Sequence, residues 1–354
     1  MHLNSKHWEQ GSNFFLPDLS LDDDSLRLGF KGSFVGLGRF ALLELLRFGF
    51  DMRGWKRLWI PSYYCEDVVL SLQGNPVIIK RYPCGPVGED VVPEAQVGDV
   101  LLRVSFFGWG LKPLDLNFGG DVIEDHSHYP HGGLSSKANF VFASLRKAFP
   151  VPDGGVFWSP QRHAIPAAPP IHLRHEAAVL NRLAAMVMKR AYLQGFITDK
   201  SSYRQLEIAS EKLLLEGNLS GISSWSKVML EHLPYEALRV ARVHNYSAFR
   251  IAMARFDKLE VLGPEILDAP AMAIVRLGNV MLRDALRARL NEENIYTAVL
   301  WPIRDINAVW YRKEDLDFSN ETLAVHVDMR YSPDDMSKVA GRIGALAEAL
   351  FSEQ

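Results

Sequence analysis

The stretch "NFVFASLRKAFPVPDGGVFW", residues 139–158, decides the fold. Its first half is an unbroken apolar run, the pattern of a strand covered on both faces, because one exposed face would impose alternation. The run ends in Ser144, Arg146 and Lys147, then breaks into prolines and the pair Gly154-Gly155 before a second apolar run. A strand end followed by a glycine-rich turn is where open α/β sheets present their functional groups. The stretch predicts a buried strand, a turn that carries chemistry and a returning strand.

Similar short runs lie upstream at intervals: "RLWIPSYY", "NPVIIKRY", "DVLLRVSFFG" and "DVIEDHSHY". The segment "EDVVLSLQG" between the first two reads as a short helix, and "GSFVGLGRFALLELLRFGFDMRG" as a glycine turn opening an amphipathic helix. Strand and helix alternate, which is the α/β signature. Downstream, residues 171–210 are strongly helical, and a second long helical segment is bent or broken at Pro234. From about Leu259 the character changes: "APAMAIVRLG" and "LAVHVDMRY" read as strands, "VMLRDALRARLNEENI" and "PDDMSKVAGRIGALAEALF" as helices. The expected organisation is a large α/β domain over residues 1–250 and a small C-terminal α+β domain over 251–354.

With 354 residues, 48% of them hydrophobic, the chain is long enough for both cores. The formal net charge is -3 and basic residues are scattered, so no nucleic-acid footprint is present. Cys65 and Cys84 are too few for a disulfide scaffold or a thiolate zinc site. The leader "MHLNSKHWEQ" lacks the apolar core of a signal peptide, and no run reaches the length of a membrane span. A cytoplasmic protein acting on small molecules is expected.

Ser144 and Lys147 are spaced S-x-x-K. A lysine that forms an imine must be partly deprotonated, which burial or a cationic neighbour such as Arg146 promotes. A hydroxyl three residues upstream suits a phosphate near that amine, which suggests a phosphorylated aldehyde cofactor, pyridoxal 5'-phosphate (PLP). The strand "DVIEDHSHY" delivers Glu124 and Asp125 at its C-terminal end, where a buried carboxylate requires a partner. A protonated pyridine nitrogen is such a partner, since the ion pair keeps the ring an electron sink. His128 is placed to donate to the cofactor's phenolic oxygen. A metal site from Asp125, His126, His128 and His131 is the rival, disfavoured because one short run would supply nearly every ligand. The turn "GLGR", with Gly38 and Arg39 at a helix start, offers backbone N–H groups to a phosphate.

Taken together, the glycine turn at a helix start, the aromatic pair after "IPS", the "EDxxH" strand end and "SxxK" followed by Gly-Gly resemble the DegT-like sugar aminotransferases in chain order. The resemblance extends through "EALRVARVHNY", "IYTAVLWP" and "VDMRY" and covers most of the chain. It implies a PLP-dependent enzyme of fold type I, with a mixed, mostly parallel sheet covered by helices. Lys147 matches the Schiff-base lysine, Asp125 the acid under the pyridine nitrogen, Ser144 a phosphate ligand and His128 the group reaching the phenolic oxygen. Gly38 and Arg39 resemble the phosphate turn, although Leu37 and Arg39 replace small hydroxyl residues. Tyr63 lies near the ring-stacking aromatic, with Tyr64 the alternative and Cys65 filling a position where an aromatic is frequent. Trp301 and Arg330 are candidate substrate contacts, each weighed against a core or ion-pair role. The implied activity moves an amino group from an amino acid, glutamate being expected, to a keto group of a nucleotide-linked sugar or another keto-polyol. A homodimer with shared active sites is implied. The alternative is a non-catalytic PLP-binding regulatory or scaffold protein on the same fold.

Overall fold

The structure is a computed structural model that describes residues 7–18, 29–112, 118–305 and 308–353. The described chain opens with a two-residue strand, Gln10–Gly11 (β1), followed by Ser33–Val35 (β2) and the helix Gly38–Arg53 (α1). Strands Arg57–Pro61 (β3), Ile78–Tyr82 (β4), Asp99–Val104 (β5) and Asp121–Asp125 (β6) come next, with the helix Glu66–Ser71 (α2) between β3 and β4. The deciding stretch forms Phe140–Ser144 (β7), a short helix Leu145–Ala148 (α3) and Gly155–Trp158 (β8).

These strands build a seven-stranded sheet in the order β2-β8-β7-β6-β5-β3-β4. β4, β3, β5, β6 and β7 run parallel, while β8 is antiparallel to both β7 and β2. Every residue of β5, β7 and β8 is buried, which is why their sequences do not alternate. The edge strand β4 alternates in exposure and carries the charged "KR" of its run.

Four helices follow: Leu173–Leu193 (α4), Ser201–Leu215 (α5), Ser224–Glu231 (α6) and Tyr235–Met253 (α7). Pro234 is the N-cap residue of α7, so the expected break falls there, where proline's missing N–H costs nothing. Then come Glu260–Leu262 (β9), Met272–Arg276 (β10), Val280–Glu292 (α8), Ile295–Tyr296 (β11), Lys313–Glu321 (α9), Thr322–His326 (β12) and Pro333–Ser352 (α10). β12-β10-β9 form a three-stranded antiparallel sheet. It shares a second apolar core with α7, α8 and α10, built on Phe249, Leu286, Val325 and Ile343. α10 is well started: the Ser332 hydroxyl accepts from the Asp335 N–H, and Asp335 accepts from the Ser332 N–H. β1 pairs in parallel with β11, so the N-terminal segment lies on the C-terminal layer. Among the described residues no helix is long and apolar enough to cross a membrane.

Candidate active site

Two glycines set the geometry. A Cβ on Gly155 would stand 2.4 Å from the Leu37 carbonyl oxygen, and one on Gly38 would stand 2.8 Å from the Ser144 Cβ. Their bare backbones let the first turn of α1 press against the C-terminal end of β7. Gly154, at φ +134°, turns the chain back into β8 through a conformation closed to other residues. The result is a helix N-terminus with no side-chain cap aimed at the strand end that bears Ser144 and Lys147. First-turn amides have no acceptor within their own helix, and the helix dipole adds positive potential.

Cations reinforce that potential. Arg39, Arg146, Ser144 and Lys147 line one cavity together with Gly38, Tyr64, Asp125 and Trp301. Arg146 donates to Glu211 at 2.5 Å, and Arg182 donates to the same carboxylate. Arg39 has neither a hydrogen-bond nor an ion-pair partner among the described residues. Burial, and then the positive charge of Arg146, lower its pKa. Three guanidinium groups thus converge where Glu211 is the main counter-charge, with Asp67 a lesser influence. Such a cup is short of negative charge, and an anion is its natural occupant.

The carboxylate of Asp125 is buried on the other side of the same cavity. One oxygen accepts from the Ser127 N–H at 2.8 Å, the other from the Tyr64 hydroxyl at 2.8 Å. Burial, then the Asp125 charge, hold the Tyr64 phenol well above its ordinary range, so it stays a donor. Each carboxylate oxygen keeps a second lone pair, so Asp125 can still take another donor. The Ser127 hydroxyl accepts from the Ser144 N–H at 3.0 Å, stitching the ends of β6 and β7 together. Lys147 Nζ has no hydrogen-bond or ion-pair partner among the described residues.

His128 is sandwiched between Phe107 and Trp301, each ring 5.6 Å away and nearly parallel. Desolvation between these rings, then the charge of Lys147, push it down to about 3. It is neutral at physiological pH. Its Nδ1 accepts from the Phe107 N–H at 3.0 Å, so the ring proton sits on Nε2. Trp301 adopts φ +47°, an unfavourable conformation for a bulky residue, and packs against Tyr63, Tyr64 and Phe106. Strain of that kind persists only where the surroundings enforce it.

Below the turn lies a buried polar clamp. Asp153 accepts from the Ser223 N–H at 2.9 Å and from the hydroxyls of Ser223 and Ser226, and it pairs with His175 Nε2 at 2.8 Å. The His175 imidazole lies directly under Gly36, where a Cβ would come within 2.4 Å of its ring atoms. The clamp fixes the loop after Lys147 and the glycine turn before α1 to one support.

Among known proteins, no protein-family model and no curated sequence matches the chain. Solved structures do. A putative sugar aminotransferase, Spr1654 from Streptococcus pneumoniae in its PLP form, superposes at TM-score 0.57 and 11% identity, over 90% of this chain and 87% of that one. DesI, solved with its TDP-sugar product, gives 0.60 at 15% identity over 91% and 82%. A DegT DnrJ EryC1 StrS aminotransferase from Brucella abortus gives 0.55 at 15% over 89% and 86%. The chain has the fold of the sugar aminotransferases. On this aminotransferase fold the cavity described above opens at the C-terminal ends of β6 and β7.

The structure gathers Gly38, Arg39, Asp125, Ser144, Lys147 and Trp301 around that cavity, with His128 behind Trp301. Two expected residues lie elsewhere. Tyr63 is buried among Phe106, Trp301 and Phe318, and its hydroxyl donates to the Leu300 carbonyl; Tyr64 and Cys65 line the cavity instead. Arg330 is spent on Asp328, which accepts at 2.7 and 2.8 Å, and on the carbonyls of Gly11, Ser12 and Asn13. Its donors are consumed in anchoring the N-terminal segment. Sequence reading missed Ser127, although its two-residue spacing from Asp125 signals the same face. It also missed the Asp153 clamp, whose partners are more than twenty positions away.

Proposed function

We propose that the chain is a PLP-dependent aminotransferase. The observation that carries this reading is the convergence, in one cavity, of an unpartnered lysine, a buried carboxylate with spare acceptor capacity and a cationic helix N-terminus. The donor set fits the cofactor. The amides of α1, Arg39, Arg146 and Ser144 would hold its phosphate, Asp125 its ring nitrogen and Lys147 its carbonyl carbon. The comparison with structures in PLP form and with a TDP-sugar product supports the same assignment.

When bound, PLP supplies a cationic ring that draws off negative charge from the carbon next to the migrating nitrogen. The chain supplies the rest. Asp125 would keep the ring nitrogen protonated, and Tyr64 and Ser127 hold Asp125 in place. His128, neutral and stacked behind Trp301, would hold that indole ring at the cavity; it is not itself among the described residues that line it. Lys147 would hold the cofactor's carbonyl carbon and, as a free amine, would take up and return a proton as base and then acid. The donor is an amino acid, with glutamate expected, and the acceptor a keto group on a nucleotide-linked sugar, in a homodimer whose subunits share active sites.

Two half-reactions test the reading. Glutamate alone should bleach the visible band of the loaded protein and release one 2-oxoglutarate per chain, and a keto-sugar nucleotide should restore the band. A protein that holds PLP but responds to no amino acid would be a cofactor-binding protein without transferase activity.

A further inference from the structure

Strand alternation sends Asp125 into the Lys147 cavity and Glu124 to the opposite face of the sheet. There Glu124 lies beside Arg103, its register partner on β5. A second cavity, of about 630 Å³, opens on this face, lined by Arg103, Ser105, Val122, Glu124, His126 and Asn139. β5 and β6 are parallel neighbours, and the described residues between them include one short 3₁₀ turn, Phe106–Gly108.

We propose that this second cavity is a ligand site for a small zwitterion, an ammonium carboxylate of the free amino-acid class. Arg103 and Glu124 are both more than nine-tenths buried, but their closest approach is 3.4 Å. Charge-assisted pairs settle at about 2.7–2.9 Å. Arg103 also donates to the Lys112 carbonyl at 2.5 Å, and Glu124 is hydrogen-bonded by His126 and Ser136, yet the guanidinium keeps further N–H donors and the carboxylate a spare lone pair. The Ser105 hydroxyl and His126 Nδ1 are buried in the same wall with no partner in the protein. The other His126 nitrogen is bonded to Glu124 at 3.0 Å. The wall therefore offers a cationic pole, an anionic pole and two uncommitted neutral groups. A carboxylate on Arg103 and an ammonium on Glu124 satisfy both poles, and Ser105 and His126 add a hydrogen bond each. A neutral polyol would occupy the hydroxyl and imidazole while leaving the ion pair loose.

The site is independent of the transferase reading, and calorimetry on full-length Lys147→Ala protein tests it. Glycine, glutamate and lysine are titrated, with propionate, propylamine and myo-inositol as controls. At least one amino acid should bind saturably at one site per chain, and the single-pole and polyol controls should not. Glu124→Gln should weaken binding about tenfold or more, the scale of a hydrogen bond to a charged group. Ser105→Ala removes a hydroxyl that bonds nothing in the protein, so folding is spared, and it should weaken binding by about threefold to tenfold. Trp301→Ala, in the Lys147 cavity, should leave binding unchanged. The proposal is overturned if no amino acid binds, if propionate or inositol binds as well, if Ser105→Ala has no effect, or if Trp301→Ala abolishes binding.

Discussion

Arg39→Met separates what the anion cup does for the ligand from what it does to the empty protein. Methionine keeps the length of the apolar stem and removes the charge. In the folded chain Arg39 has no ion-pair partner among the described residues, and its charged form is disfavoured by burial and by Arg146. Removing that charge should stabilise the cofactor-free protein by roughly 0.5–2 kcal/mol, the usual return from relieving an unfavourable charge. Its melting temperature should rise by about 1–4 °C. Ligand binding should move the other way. Losing one charge-assisted bond to a phosphate costs about 1.5–3 kcal/mol, or roughly 10- to 150-fold in affinity. The assay is a set of melting curves without ligand, with inorganic phosphate and with PLP, where each tenfold loss in affinity removes about 1.4 kcal/mol of ligand-induced stabilisation. A variant less stable than the parent when empty, and equally stabilised by phosphate, would show that Arg39 belongs to the packing of α1 and not to an anion site.

Asp125→Asn should still hold cofactor but lose turnover by about two or more orders of magnitude; unchanged turnover would move the ring-nitrogen partner elsewhere. Asp153→Asn leaves at least one of its serine or histidine partners unmatched and should destabilise the fold by about 3–5 kcal/mol, read from denaturant midpoints. An unchanged midpoint would remove the clamp from the account. His128 is pushed down to about 3 and His326 to about 4, both below the ordinary 6.5, so the unfolded chain binds more protons between those values. Their stabilisation is complete above pH 6.5 and falls on acidification, by at most about 1.4 kcal/mol per pH unit for each ring. Urea midpoints that match at pH 7 and pH 5 would contradict this.

Much of the site was legible because its groups are local to strand ends. Asp125 and Lys147 each close a continuous apolar run, and such runs mark parallel strands whose C-terminal ends converge on one edge of the sheet. Gly38 and Gly155 were legible as glycines, but not the reason for them, since the close contacts they permit are with Ser144 and Leu37 across the fold. The choice between Tyr63 and Tyr64 could not be read from spacing: both follow β3, and only the turn after Pro61 decides which ring faces Asp125. Arg330 shows the opposite failure. An arginine beside Tyr331 in the small layer looked available, yet a buried aspartate two residues back and the distant segment 11–13 consume it. The strands and helices after Leu259 were legible from their runs, but not that Tyr246 and Phe249 of α7 pack into the same core. Nor was the pairing of β1 with β11, because a two-residue strand carries no periodicity.

Lys147 is the centre of the account, and borohydride reduction followed by peptide mapping tests it most directly. The protein is incubated with PLP, reduced and digested, and the pyridoxyl label is located by mass spectrometry. The account predicts one label per chain, on the peptide containing Lys147, and none at all in Lys147→Ala. Label on another lysine, or label that survives Lys147→Ala, would contradict it.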